Sequence, residues 1–136
     1  MNDIDLPSDY YDTIVRAIDE NGVYPHNMLV LGRDDRLTVC VFDYQRPDQI
    51  MNYIMKVLVE ENPKQLIYGM DRFCKPGQGT TLGDCVAGAF WNNNQWRPFV
   101  IEYQHEPRQV KPLDWNNEFW KVAVRKELME HFGVKS

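Results

Sequence analysis

No run of apolar residues approaches the ~18 that a membrane span needs, so no membrane association is expected. The stretch Met1–Asp5 is acidic and has neither the basic start nor the apolar stretch of a secretory leader. Cysteine is scarce. Cys40, Cys74 and Cys85 are odd in number and show no C-x-x-C spacing. That pattern argues against a disulfide framework or a zinc knuckle, and for a reducing, cytoplasmic setting. His26, His105 and His131 form no HxH or HExxH pair, and Asp34, Asp35 and Asp71 lack calcium-loop spacing, so no metal is expected. Basic residues are outnumbered, fifteen Lys and Arg against twenty Asp and Glu, for a net charge of -5. Counterion release from a nucleic acid needs clustered cations, so no direct nucleic-acid binding is expected.

The acid surplus is uneven. Residues 1–62 carry twelve acids and five bases, whereas residues 63–136 carry ten bases and eight acids. An acidic half suits a solvated surface or a face that steers onto a basic protein partner; imitation of a phosphate backbone would need denser acids. At 136 residues and 43% hydrophobic composition, the chain is long enough to bury roughly two thirds of its unfolded surface as one domain, residues 1–136, without a staple. Repeats, low-complexity tracts and interdomain linkers are absent from the sequence.

Periodicity predicts three helices. The first follows Pro7-Ser8, with Ser8 as cap, Tyr11, Ile14, Val15 and Ile18 on one face, and Gly22 as terminator. The second begins at Pro47, carries Ile50, Met51, Ile54, Met55, Val57 and Leu58, and stops at Asn62-Pro63. The third follows Asp114 as cap, with Phe119, Trp120, Ala123, Val124, Leu128 and Phe132 recurring at helical spacing, and closes at Gly133. Between them lie strand signals. Met28–Leu31 and Leu37–Phe42 flank the polar turn Gly32–Arg36; Gln65–Phe73 follows the second helix; Cys85–Trp91 and Trp96–Tyr103 flank Asn92-Asn93-Asn94-Gln95, where asparagine tolerates left-handed backbone angles. Val110–Leu113 adds a short edge piece. The order is no regular βαβ repeat, which predicts an α+β fold: a mostly antiparallel sheet of about five strands with three packed helices, in the order α-ββ-α-βββ(β)-α. The join across the middle helix alone has the length of a parallel crossover.

Four constellations bear on function. Gly77, Gly79 and Gly83, with Thr80-Thr81, form a glycine loop after a strand. The Lys-Ser/Thr ending of a phosphate loop is missing and a strand follows, so a hairpin loop is the simpler reading and a small-ligand cradle the sharper one. Cys85 and His105 lie on paired strands if positions summing to about 187 or 188 face one another. That would bring thiol and imidazole into the reach of a nucleophilic dyad oriented by Asp84 or Glu102, although thiol enzymes seat the nucleophile at a helix start. Trp91 and Trp96 flank the asparagine turn, and with Asn93 and Arg97 they make a candidate contact patch. Neighbours in a strand face opposite sides, so Phe90 and Trp91 cannot enter one core. Asp34 and Asp35 add acidic contacts on the other turn.

Together these features predict a small acidic cytoplasmic protein that works by binding a macromolecule rather than by catalysis. The type is an inhibitor, immunity or anti-defence protein such as bacteria and their phages carry. The expected partner is a protein, basic in character, with a homodimer as a further arrangement and no cofactor. The alternatives are a thiol-dependent hydrolase using Cys85 and His105, and a small-ligand domain using the Gly77–Gly83 loop.

Overall fold

The structure, a computed structural model, describes residues 4–21, 26–42, 46–73 and 82–133. Its elements are α1 (Leu6–Asn21), β1 (His26–Leu31), β2 (Leu37–Phe42), α2 (Pro47–Glu61), β3 (Gln65–Phe73), β4 (Asp84–Asn92), β5 (Gln95–His105), β6 (Arg108–Val110) and α3 (Glu118–Phe132). The expected α+β order holds, with six strands rather than about five. They form one sheet in the order β2-β1-β3-β4-β5-β6, every neighbouring pair antiparallel. Because β1 is antiparallel to both β2 and β3, those two run parallel, and the join through α2 is the expected crossover with β1 slotted between its ends.

Both faces of the sheet are covered, because its central strands are apolar on both sides. Leu29, Ile67, Val86, Phe99, Ile101 and Tyr103 meet Leu6, Tyr10, Ile14 and Ile18 of α1. Met28, Val30, Leu66, Tyr68, Ala87, Trp96 and Val100 meet Ile50, Met51, Ile54 and Val57 of α2 and Trp120, Val124 and Leu128 of α3. Each fully buried aliphatic side chain contributes about 2 kcal/mol.

The helix starts differ from expectation in two places. In α1 the cap is Asp5, whose carboxylate accepts the Ser8 N–H at 3.1 Å while its carbonyl accepts the Asp9 N–H at 3.0 Å. The earlier start brings Leu6 into the first turn, and the buried row becomes Leu6, Tyr10, Ile14 and Ile18, with Tyr11 half-buried beside it. The expected terminator, Gly22, lies outside the described residues. In α3 the cap is Asn117 rather than Asp114: its side chain accepts the Trp120 N–H at 3.1 Å, and Asp114 instead bridges β5 at Val100. Gly133 ends the helix as expected, at φ 65° with its N–H on the Met129 carbonyl.

Gly69 and Gly88 are cross-strand partners on the face under α1. A Cβ on Gly69 would lie 2.1 Å from the Tyr10 hydroxyl, and one on Gly88 would lie 1.9 Å from the Tyr68 carbonyl oxygen. The pair leaves a shallow saddle in which the Tyr10 ring seats, 5.7 Å from Phe99 and edge-on to it. No described helix is long and apolar enough to cross a membrane.

Candidate functional site

The turn of the β4–β5 hairpin is built on Asn93 and Asn94, both left-handed at φ 52° and 60°. It sets the register expected from the sequence, positions summing to 187, so Cys85 pairs with Glu102 and Trp91 with Trp96. The same register separates the proposed dyad. Cross-strand partners share a face, and Cys85 joins Glu102 on the side of α2 and α3, buried beneath them. His105 lies an odd number of residues from Glu102, and therefore on the α1 face with Tyr103, whose ring it meets edge-on at 5.3 Å. Its Nε2 is 3.9 Å from an Asp84 carboxylate oxygen. The sheet stands between thiol and imidazole, which corrects the Cys85–His105 expectation.

Around His105 a polar corner forms on the α1 face. The Tyr103 hydroxyl donates to Asp71. Burial pushes the Asp71 carboxyl up; the Tyr103 hydrogen bond pulls it down and the Asp84 charge pushes it up again. Burial, then Asp71, holds the Tyr103 hydroxyl far above the usual phenol range. These groups form a polar cluster, and among the described residues no group of His, Cys, Asp and Glu is arranged to hold a metal.

The candidate aromatic patch also divides. Trp96 is buried, stacked on Phe132 at 5.6 Å and edge-on to Tyr68 at 5.8 Å. Trp91 lies beside it at 5.3 Å, half-buried on the same face. Arg97 projects from the opposite face, its guanidinium 4.1 Å above the Trp115 ring, where Phe90 also packs. Trp91 and Trp96 are therefore not one surface with Arg97, because the strand alternation that separates Phe90 from Trp91 separates Trp96 from Arg97 as well.

What the structure does gather is the turn end of the sheet. Asp34 accepts the Arg36 N–H at 3.1 Å, and Asp35, left-handed at φ 64°, pairs with Lys64. Arg33 donates to the Asn62 carbonyl at 2.9 Å, tying this turn to the end of α2. Arg33, Asn62, Lys64, Trp91 and Asn93 line a cleft of about 290 Å³. Asp34 and Asp35 thus brace a turn rather than present free charge. The residues of the glycine loop before Leu82 lie outside the described residues; the Leu82 N–H donates to the buried Glu102 carboxylate at 3.1 Å.

The surface that sequence reasoning missed is β2. Among the described residues this edge strand pairs with β1 alone, yet Leu37, Val39 and Val41 are 40%, 56% and 52% exposed. They share the α1 face, but α1 packs over β1 and β3 and leaves them open. On the other face, Cys40, Phe42, Gln49 and Tyr53 border a cleft of about 450 Å³ between β2 and α2. Phe42 and Tyr53 meet edge-on at 5.6 Å. Burial, then the Glu61 carboxylate, pushes the Cys40 thiol up, and the Cys40 charge, then burial, does the same to the Tyr53 hydroxyl. Such a thiol is protonated at neutral pH and a poor nucleophile. The signal was in the run Leu37-Thr38-Val39-Cys40-Val41-Phe42, which has no polar face to give to solvent. No family model, curated protein or solved structure matches the chain.

Proposed function

We propose that this chain acts by binding another protein rather than by catalysis, as an inhibitor or immunity protein does, and that the open edge of β2 receives the partner. The observation that carries the reading is the row Leu37, Val39 and Val41, exposed along a strand with one neighbour among the described residues. An apolar edge of this kind is a template for another chain, and proteins normally blunt it with charge, proline or a short strand. The opposite edge is blunted in that way: β6 has three residues, begins with Arg108 and follows Pro107. The acid surplus of residues 1–62 supports a basic partner. The low cysteine count, three with no C-x-x-C spacing, fits a cytoplasmic setting.

The test is capture from extracts of the source cell by the wild-type chain and by Val39→Lys, at low and high ionic strength. Val39 is exposed, so the substitution leaves the circular dichroism spectrum and melting temperature unchanged. The expected result is a partner held by the wild type, released by high salt and not held by Val39→Lys. Equal capture by both chains, or none at any ionic strength, overturns the reading.

A further inference from the structure

Two structural features fix how a partner meets β2. The Gly32 N–H donates to the Arg36 carbonyl at 2.9 Å, and Leu31 faces Leu37 in the register. In an antiparallel ladder, hydrogen-bonded and non-bonded pairs alternate. Counting from that bond, Thr38, Cys40 and Phe42 turn their main-chain groups toward β1. Leu37, Val39 and Val41 turn theirs outward, to an edge that no described strand occupies. These residues offer main-chain donors and acceptors at every second position, the spacing an incoming strand requires.

An added strand alternates its side chains between the two faces of the sheet. One set lies over Leu37, Val39 and Val41; the other points to the α2 face, where the cleft bordered by Cys40, Phe42, Gln49 and Tyr53 stands open. Helix, cleft and strand edge thus form a groove with an apolar wall on each side of the hydrogen-bonding line. Its acidic charge lies at the end of α2, one turn past the exposed Lys56. Asp34 and Asp35 are paired with Arg36 and Lys64, and Arg33 is turned onto the Asn62 carbonyl. Glu60 and Glu61 stand exposed in the last turn, Glu60 about two turns past Tyr53 on the same side of α2. The negative end of the helix dipole lies there too.

We infer that the β2–α2 groove takes an extended segment of a partner protein as a seventh strand, with an apolar side chain seated in the Cys40–Phe42–Tyr53 cleft and a basic residue set against Glu60 and Glu61. The inference rests on the protein-binding reading above and adds the shape and chemistry of the bound segment. The cleft selects an apolar residue by size, the main-chain ladder selects an extended backbone, and the acidic end selects lysine or arginine over glutamate.

The probe is a synthetic peptide of about nine residues, the length of a strand, with valine, threonine and one central leucine between terminal lysines. Two analogues accompany it, one ending in glutamates and one N-methylated at alternate amides. Binding is read by fluorescence anisotropy and by amide hydrogen exchange on the full chain. In the free protein, the amides of Leu37, Val39 and Val41 exchange quickly, and those of Thr38, Cys40 and Phe42 slowly. With the lysine peptide the first three slow by about tenfold or more, because each gains a ladder hydrogen bond. The glutamate analogue binds about tenfold more weakly, the N-methylated one loses the protection, and Tyr53→Lys weakens the lysine peptide. Binding without protection at these three amides, equal binding of the lysine and glutamate peptides, or no binding overturns the inference. A partner captured by the wild type and lost with Val39→Lys would still uphold the broader reading, with a folded surface in place of an extended segment.

Discussion

Replacing Trp96 with alanine separates a core role from a surface role, because the structure gives the two tryptophans of the asparagine hairpin different surroundings. Trp96 is 9% exposed, lies nearly parallel to Phe132 with an interplanar angle of 14°, and has Tyr68 and Trp91 against its other sides. Truncating a buried tryptophan costs about 3–5 kcal/mol, and lost aromatic pairs put this site toward the upper end. For a chain of this length each kcal/mol moves the melting temperature by roughly 3–5 °C, so Trp96→Ala should lower it by about 12–20 °C. Trp91 is half-buried at the edge of the same cluster, and its truncation should cost about 1–2 kcal/mol. Thermal unfolding by circular dichroism, repeated by calorimetry, measures both. A Trp96→Ala chain melting within about 3 °C of the wild type would refute the packing described for α3 and β5.

Three further outcomes follow from buried groups. Asp71→Asn keeps an acceptor for the Tyr103 hydroxyl and removes a charge that burial disfavours. A carboxyl held above its usual value contributes its stability at acid pH and loses it as pH rises through the folded value. The variant should therefore gain melting temperature over the wild type near pH 7, and the gain should vanish near about pH 3; a larger gain at acid pH would contradict the burial of Asp71. Glu127→Ala removes the two carboxylate hydrogen bonds of Arg72, 3.1 and 2.9 Å, and leaves its charge with only the Ala87 carbonyl and the Trp120 ring, at a cost of about 3 kcal/mol in urea unfolding. Arg72→Met with Glu127→Leu should recover most of it. Gly88→Ala forces its Cβ against the Tyr68 carbonyl oxygen and should cost about 3 kcal/mol or more by the same assay.

The elements were legible where local chemistry dictates them. Asn93 and Asn94 supply left-handed backbone at the two positions a tight hairpin requires, and the register to Tyr103 follows by counting. Asn62 before Pro63 ends α2 in the same conformation. The caps were less legible, because Asp5 and Ser8, or Asp114 and Asn117, are equally competent alone, and tertiary packing decides which helical start buries Leu6 or Trp120. Two of the groupings expected from the sequence are divided by strand alternation. Cys85 faces Glu102, and His105, three residues further along β5, turns to the opposite face of the sheet. Trp96 and Arg97, adjacent in β5, take opposite faces in the same way, the one on Phe132 and the other over Trp115. The order of strands in the sheet is nonlocal, and β2 became the edge because β3 returns through α2 to pair with β1. An apolar hexapeptide that would be ordinary in the centre of a sheet is an open template at its margin.

An open apolar edge invites a second copy of the same chain as readily as a foreign strand, and charge tells the two apart. Two copies meeting through β2 bring together regions that each hold twelve acids against five bases over residues 1–62. Their repulsion opposes the pairing at low ionic strength and fades as salt shortens the Debye length, from about 30 Å at 0.01 M to about 10 Å at 0.1 M. A basic strand feels the opposite sign, and its attraction fades over the same range. Self-association should therefore strengthen with salt while binding of a lysine-flanked peptide weakens. Sedimentation equilibrium and anisotropy across one salt series measure the two slopes. Slopes of the same sign would mean that the acidic half does not govern what β2 accepts, and the preference for a basic partner over a second copy would then have no electrostatic basis.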